Sequence, residues 1–247
     1  MTTKKPRRQY KDASGKKLPG VTTILGVLDK PALLWWAARE AAQATAAAIV
    51  DGGMPADRAI EVGKKAPFQR RQDAADAGTQ AHACVEAHYA GEPWPEDASD
   101  AARACAQRVI DHIAARGYQV VASEWAGAMG EYGSGWAGTL DLIVERDGLR
   151  YIADLKTGKA AFDEVVPQLA AYAEMWHHHS DRDRKTDHPF IDGGIVFHAP
   201  IEDDVVNEIK LTREKLDAGW RLFDAAREAY WARKDAKLPS EKKEDEE

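Results

Sequence analysis

The stretch Gly138–Lys156, GTLDLIVERDGLRYIADLK, decides the fold. Two apolar-rich runs flank Asp147-Gly148, the dipeptide that best accommodates positive φ at both central positions of a tight hairpin turn. A two-residue turn pairs Arg146 with Leu149. Counting outward pairs Ile143 with Ile152 and Asp141 with Asp154. Directly opposed residues on one face bring their Cβ atoms to roughly 4.5–5.5 Å, where like charges repel. Two carboxylates held that close need a cation or a shared proton. Lys156, two residues beyond Asp154, points to the same face because side chains alternate along a strand. Two carboxylates and an amine on one patch suggest a metal site with a positioned nucleophile.

Around this hairpin the pattern predicts a helical first third and an α/β remainder. A helix is expected from Pro31, with proline at its first position, to about Val50, where Gly52-Gly53 ends it. Two further helices are expected near 55–65 and 68–90, then a loop at Gly91–Pro95 and a helix capped by Ser99 or Asp100 reaching Arg116. Strands follow at Tyr118–Trp125, 136–146 and 149–156. A helix from about Asp163 to Trp176, a polar loop at His177–His188, strands near Ile191–His198 and Val205–Leu211, and a Thr212-capped helix to about Lys234 complete the chain. The order predicts an α/β fold with a helical N-terminal region. The expected organisation is a basic flexible tail over 1–19, a single domain over 20–234 (helical to 116, α/β from 117) and a charged flexible tail over 235–247.

The 247 residues suffice for a sizeable core, and 44% hydrophobic with 30% charged residues describe an ordinary soluble globular protein. A net charge of -7 does not favour nucleic acid as a whole-protein property, so the distribution of charge matters more than its sum. Two cysteines, Cys84 and Cys105, are too few for a disulfide scaffold or a four-thiolate cluster. No apolar h-region opens the chain and no apolar run reaches ~18 residues, so secretion and membrane spanning are not expected and a cytoplasmic location is.

The chemistry-bearing series is His82, Glu124, Asp141, Asp154, Lys156, Gln168 and Tyr172. Gln168 and Tyr172 lie four apart, on one helical face just after Pro167. On the residues alone His82 is a core or surface histidine or a ligand, with Glu86 one turn on. Glu124 is a metal-site carboxylate or an ordinary strand-end charge. Gly138-Thr139-Leu140-Asp141, then Asp154-Leu155-Lys156-Thr157-Gly158-Lys159, then Gln168-Leu169-Ala170-Ala171-Tyr172 resemble the PD-(D/E)XK nuclease superfamily, in its RecB-like and phage-exonuclease branch. Gly78-Thr79-Gln80-Ala81-His82 and Val21-Thr22-Thr23-Ile24-Leu25 are similar to that branch too, so the resemblance covers about residues 20–176.

That resemblance implies a restriction-endonuclease-like core: a mixed central sheet flanked by helices. It implies Mg²⁺, with Mn²⁺ able to substitute, on Asp141, Asp154 and the Leu155 carbonyl, with His82 as a further ligand. Carboxylate and carbonyl oxygens suit such a hard ion. Lys156 would position the attacking water, and Gln168 and Tyr172 would contact the nucleic-acid backbone or brace Lys156. Thr157 and Lys159 are phosphate contacts or parts of an exposed loop. The implied activity is phosphodiester hydrolysis in DNA, with an exonuclease of recombination, repair or phage DNA metabolism favoured. It works in a bacterial or phage-infected cell, and a strand-annealing protein or a helicase is a candidate partner. A structure-specific endonuclease and a catalytically silent binding protein are the alternatives. Four-cysteine iron–sulfur clusters occur in several relatives, and two cysteines cannot hold one.

Three other signals are discounted. Gly133-Ser134-Gly135-Trp136-Ala137-Gly138 matches G-x-G-x-x-G but precedes a strand instead of a helix. His177-His178-His179 with His188 is read as an exposed polar segment, not a zinc site. No G-x-x-x-x-G-K-[ST] occurs, so an ATP motor is not supported. The tryptophans serve packing first, with base stacking by Trp35, Trp36, Trp94 or Trp136 a minority reading.

Overall fold

The computed structural model describes residues 9–159, 163–182 and 190–236. Helices α1 (Val21–Leu25), α2 (Pro31–Val50), α3 (Ala56–Ala90) and α4 (Asp100–Ala115) precede strands β1 (Gln119–Met129), β2 (Trp136–Arg146) and β3 (Leu149–Lys156). Helix α5 (Val165–Arg182), strands β4 (Gly193–His198) and β5 (Asn207–Leu211), and helix α6 (Arg213–Asp235) follow. The strands form one sheet in the order β1-β2-β3-β4-β5, with β3 and β4 parallel and the other pairs antiparallel. A parallel pair needs a crossover, and α5 supplies it. This is the predicted α/β architecture, a mixed sheet of the restriction-endonuclease-like kind with a helical N-terminal region.

Local chemistry explains the element ends. The β2–β3 turn places Asp147 at φ 55° and Gly148 at φ 75°, and Arg146 pairs with Leu149 and Ile143 with Ile152 as predicted. Ser99 Oγ accepts the N–H of Ala102 at the start of α4, and Thr212 Oγ1 that of Lys215 at the start of α6. Pro31 opens α2, and Gly91 closes α3 in a left-handed conformation.

Some boundaries differ from the reading. The helices expected near 55–65 and 68–90 are one helix, because Pro67 is buried inside α3 and does not end it. A proline there forfeits one backbone bond, to the Gly63 carbonyl, while packing against α2 holds the two halves in line: a Cβ at Gly63 would meet Thr45 and the Ala41 carbonyl. The strand expected to stop at Trp125 continues to Met129 because its partner runs on to Trp136. The expected loop from His177 is helical to Arg182. His177 Nε2 accepts the Ile191 N–H and its ring stacks on Phe190. His188, residues 1–8 and residues 237–247 lie outside the described residues. Ahead of α1 the chain packs on the core: Leu18 is buried, and Tyr10 shares a hydrogen bond with Thr139.

Two apolar cores cover the two sheet faces. One gathers α1, α5 and α6 (Ile24, Leu169, Met175, Phe223); the other gathers α3 and α4 (Cys84, Val109, Ile113). Strict alternation would put Leu140 and Leu142 on one face, yet Leu140 joins the first core and Leu142 the second. Across the ladder Ala122 and Trp125, three apart, both touch the first core. Between them Glu124 has φ 50°, a conformation rare outside glycine. The two strands reverse their side-chain parity together at Glu124 and Asp141, and the sheet is kinked there.

Candidate active site

The β2–β3 ladder stops at Leu142 and Ala153, one pair short of the predicted Asp141–Asp154 pairing. The kink explains this. Asp141 turns its carboxylate across the gap, and Oδ2 accepts the Leu155 N–H at 3.0 Å. The two carboxylates still lie near one another, and the Asp141 charge raises the Asp154 pKa. Asp154 is 2% exposed, on the central strand of the sheet.

Three elements bring side chains to this point. From α3, His82 Nδ1 lies 3.3 Å from Asp141 Oδ2. From β3, Lys156 Nζ lies 2.7 Å from Asp154 Oδ2, as the same-face argument predicts. From α5, Gln168 Oε1 accepts a hydrogen bond from Lys156 Nζ at 3.3 Å, and the buried Tyr172 ring lies against Gly138. Two glycines make the approach possible. A Cβ at Gly138 would fall 2.5 Å from Tyr172 Cε1, and one at Gly78 would fall 2.6 Å from Thr157 Oγ1. Gly78 therefore seats α3 against the end of β3, one turn before His82.

The electrostatics are those of a crowded, half-dry site. Burial disfavours the His82 cation, but the Asp141 carboxylate outweighs it and, with Asp154, raises the pKa to about 9 against Lys156. Burial likewise opposes ionisation of Asp141, and His82, the Leu155 N–H and Lys156 overcome it, holding the carboxyl below its ordinary range. Asp154 goes the other way: burial first, then the neighbouring Asp141, push it up to about 6 despite Lys156. Burial also raises Tyr172 well above its ordinary value. Lys156 Nζ, 2.7 Å from the buried Asp154 Oδ2, offsets part of the cost of burying that charge.

Among the described residues no group of three or more His, Cys, Asp or Glu side chains stands close enough to hold a metal ion. His82 and Lys156 draw the two carboxylates to themselves. The donor set nonetheless fits a hard divalent cation in its chemistry: two carboxylates, Asp141 and the buried Asp154, and a backbone carbonyl at Leu155.

The other predicted positions divide. Glu124 sits between the pairs Ser123–Leu142 and Trp125–Leu140, so it occupies the register position facing Asp141, in mid-strand and not at a strand end. Glu86 is half-buried one turn after His82. Lys159 is exposed and pairs with Glu202 at 2.9 Å. Cys84 and Cys105 are free thiols buried in the second core. The Gly133–Gly138 run is the connection entering β2. Beyond Gly138 and Tyr172 opens a groove of about 460 Å³ edged by Tyr10, Lys17, Thr22 and Thr23. Tyr10 was not singled out from the sequence. It lies 129 residues from Thr139, its hydrogen-bond partner, and nothing local signals such a contact.

Residues 108–236 match the family model described as the PD-(D/E)XK nuclease superfamily, a span that holds every residue of the site except His82. No curated protein matches the sequence. Among solved structures the chain is similar to one described as a "Putative exonuclease" from Eubacterium rectale, at 13% identity over 66% of this chain and 69% of that one. The TM-score is 0.44. No helix among the described residues is long and apolar enough to cross a membrane.

Proposed function

The chain belongs to the PD-(D/E)XK nuclease superfamily, and from that premise we propose that it is a Mg²⁺-dependent nuclease that hydrolyses phosphodiesters in DNA, acting as an exonuclease. The observation that carries this reading is Asp154: a buried carboxylate on the central strand, beside a second carboxylate and 2.7 Å from the Lys156 ammonium. In this reading Asp141, Asp154 and the Leu155 carbonyl hold the ion, with His82 as a further ligand once its proton is lost. Mn²⁺ would substitute. The ion, when bound, polarises the phosphoryl oxygen and makes bound water more acidic.

The chain's own groups do the rest. Lys156 is anchored from two sides, by Asp154 and by Gln168 Oε1, so its ammonium is held in one place. An ammonium carries three donors, and its free N–H can orient the attacking water and offset charge gathering on the phosphoryl oxygens. Gln168 is a positioning residue, because it acts through Lys156. Tyr172 walls the site beside Gly138 and excludes water from the face opposite α3. Glu124, at the kink facing Asp141, is the candidate for a second carboxylate at the ion. Strain at a non-glycine residue with positive φ is characteristic of such places.

The setting proposed for this activity is recombination, repair or phage DNA metabolism in the cytoplasm, with the domain over 20–234 and a strand-annealing protein or a helicase as partner. A second reading, a silent nucleic-acid-binding protein on the same fold, draws on the mutual pairing of His82 with Asp141 and Lys156 with Asp154. End-labelled single- and double-stranded DNA digested with Mg²⁺, with Mn²⁺ and with chelator separates the two, and end-blocked circles identify an endonuclease. Asp154→Asn and Lys156→Ala should abolish metal-dependent cleavage while circular dichroism stays native. Cleavage at the wild-type rate in either variant would reject the assignment.

A further inference from the structure

Helix α3 extends well beyond the site it serves. His82 faces Asp141, and stepping back along the helix by four and three residues alternately reaches Gly78, Ala75, Arg71, Phe68 and Lys64. With 3.6 residues per turn these positions share one face. No acidic residue stands on that face between Lys64 and His82, and Glu61, the next position back, pairs with Lys64. Asp73 and Asp76 fall on other sides, and Asp76 accepts a hydrogen bond from Gln72. Arg71 and Phe68 are exposed, Phe68 at 74%. The segment Lys64–Arg71, KKAPFQRR, holds four cations and no carboxylate. Lys64 is drawn to Glu61 and Arg70 to Glu40, and no acidic partner of Arg71 is recorded among the described residues. At 1.5 Å per residue Arg71 lies about 16 Å and Phe68 about 21 Å from His82 along the axis. Pro67 lies beyond that stretch, so any bend it causes leaves the alignment of Phe68 with His82 intact.

We infer that this face of α3 is a track for one unpaired DNA strand, with Arg71 holding a phosphate and Phe68 stacking on a base a few nucleotides from the site. The inference rests on the nuclease reading for the direction of the track, because His82 marks where it ends. The chemistry of the face chooses the occupant. A large exposed ring invites a flat apolar partner, a guanidinium beside it invites a phosphate, and a single strand offers both at a regular spacing. In a duplex the base faces are stacked away, so Phe68 would have nothing to lie on. On a protein of net charge -7 a local cluster of cations is also where a polyanion would be steered.

The test measures binding apart from cleavage. Fluorescence anisotropy with a labelled thymidine strand of about 20 nucleotides, in chelator, compares the wild type with Phe68→Ala and Arg71→Ala. The expected results are binding weakened about tenfold for Phe68→Ala, and for Arg71→Ala a salt dependence shallower by about 0.7 in the log–log slope. With Mg²⁺ restored, the loss of cleavage should be far greater on the long strand than on a dinucleotide, which cannot reach the track. Wild-type binding by both variants would overturn the inference. So would equal loss on a blunt duplex, or equal loss on dinucleotide and long strand. Far-ultraviolet circular dichroism and urea midpoints confirm that the exposed substitutions leave the fold intact. A wild type that cleaves no DNA would count against the nuclease reading alone, and the anisotropy would still decide the track.

Discussion

Gly78 is the position where a small change tests the seating of α3 most directly. Alanine there adds one methyl group, at a helical φ that alanine accepts, and helix propensity alone would favour it by about 1 kcal/mol. The added Cβ would fall 2.6 Å from Thr157 Oγ1, closer than packed atoms approach, with the next atom, Thr157 Cβ, at 3.9 Å. Overpacking of this kind costs about 1–3 kcal/mol. The net expectation for Gly78→Ala is a loss of about 1 kcal/mol, with a range from near zero to about 2. Thr157→Ala removes the clashing oxygen, so in that background the same substitution should stabilise by about 1 kcal/mol. The coupling between the two positions is then about 2 kcal/mol. Urea denaturation of the four proteins at neutral pH reads this from the midpoints if the slopes match. Gly78 lies one turn from His82, so the single variant should also slow metal-dependent cleavage, and Thr157→Ala should restore part of the rate. Stabilisation by Gly78→Ala equally in both backgrounds would refute the contact, and with it the account of how His82 reaches Asp141.

Two further outcomes follow from the fold. Ser99→Ala removes the acceptor for the Ala102 N–H at the start of α4 and should cost about 1 kcal/mol by urea denaturation, with cleavage unaffected. Glu208 accepts from Tyr118 at 2.8 Å and pairs with His112 at 3.1 Å. Burial opposes its ionisation, but the bonds from Tyr118, His112 and Lys210 win and lower its pKa below the ordinary 4.5. A lowered carboxyl pKa means stability that is complete above about pH 4.5 and lost as the pH falls through the folded value. Glu208→Gln should therefore lower stability by about 1–2 kcal/mol at pH 7, and the gap in melting temperature from wild type should narrow progressively as the pH falls below the ordinary 4.5. A gap that stays constant as the pH is lowered through the acid range would refute the linkage.

Much of the site was legible because its signals are local. Asp147-Gly148 declares a tight turn, the turn sets the register, and the register brings Asp141, Asp154 and Lys156 to one place by counting. Gln168 and Tyr172, one helical turn apart, share a face by period alone, and it was the family resemblance that pointed them at the site. Ser99, Thr212 and Pro31 mark helix starts by chemistry confined to three or four residues. The failures are of a different kind. Pro67 carries a strong local signal for a break, and packing against α2 overrides it. His177 opens a polar run, yet its bond to Ile191 and its stacking on Phe190 keep it helical.

Local pattern alone therefore determined the hairpin, the helical and strand periods and the residue types of the site, since each depends on neighbours within a turn or a strand. Tertiary packing alone decided the kink at Glu124 and Asp141, where two strands change parity together and the last expected pair opens into a carboxylate bonded to a backbone N–H. It also decided that α3 runs unbroken and closes on β3 at Gly78, and that Tyr10 lies beside Thr139. Those features trade local cost for contacts between residues far apart in the chain, and no window of sequence contains both sides of that exchange.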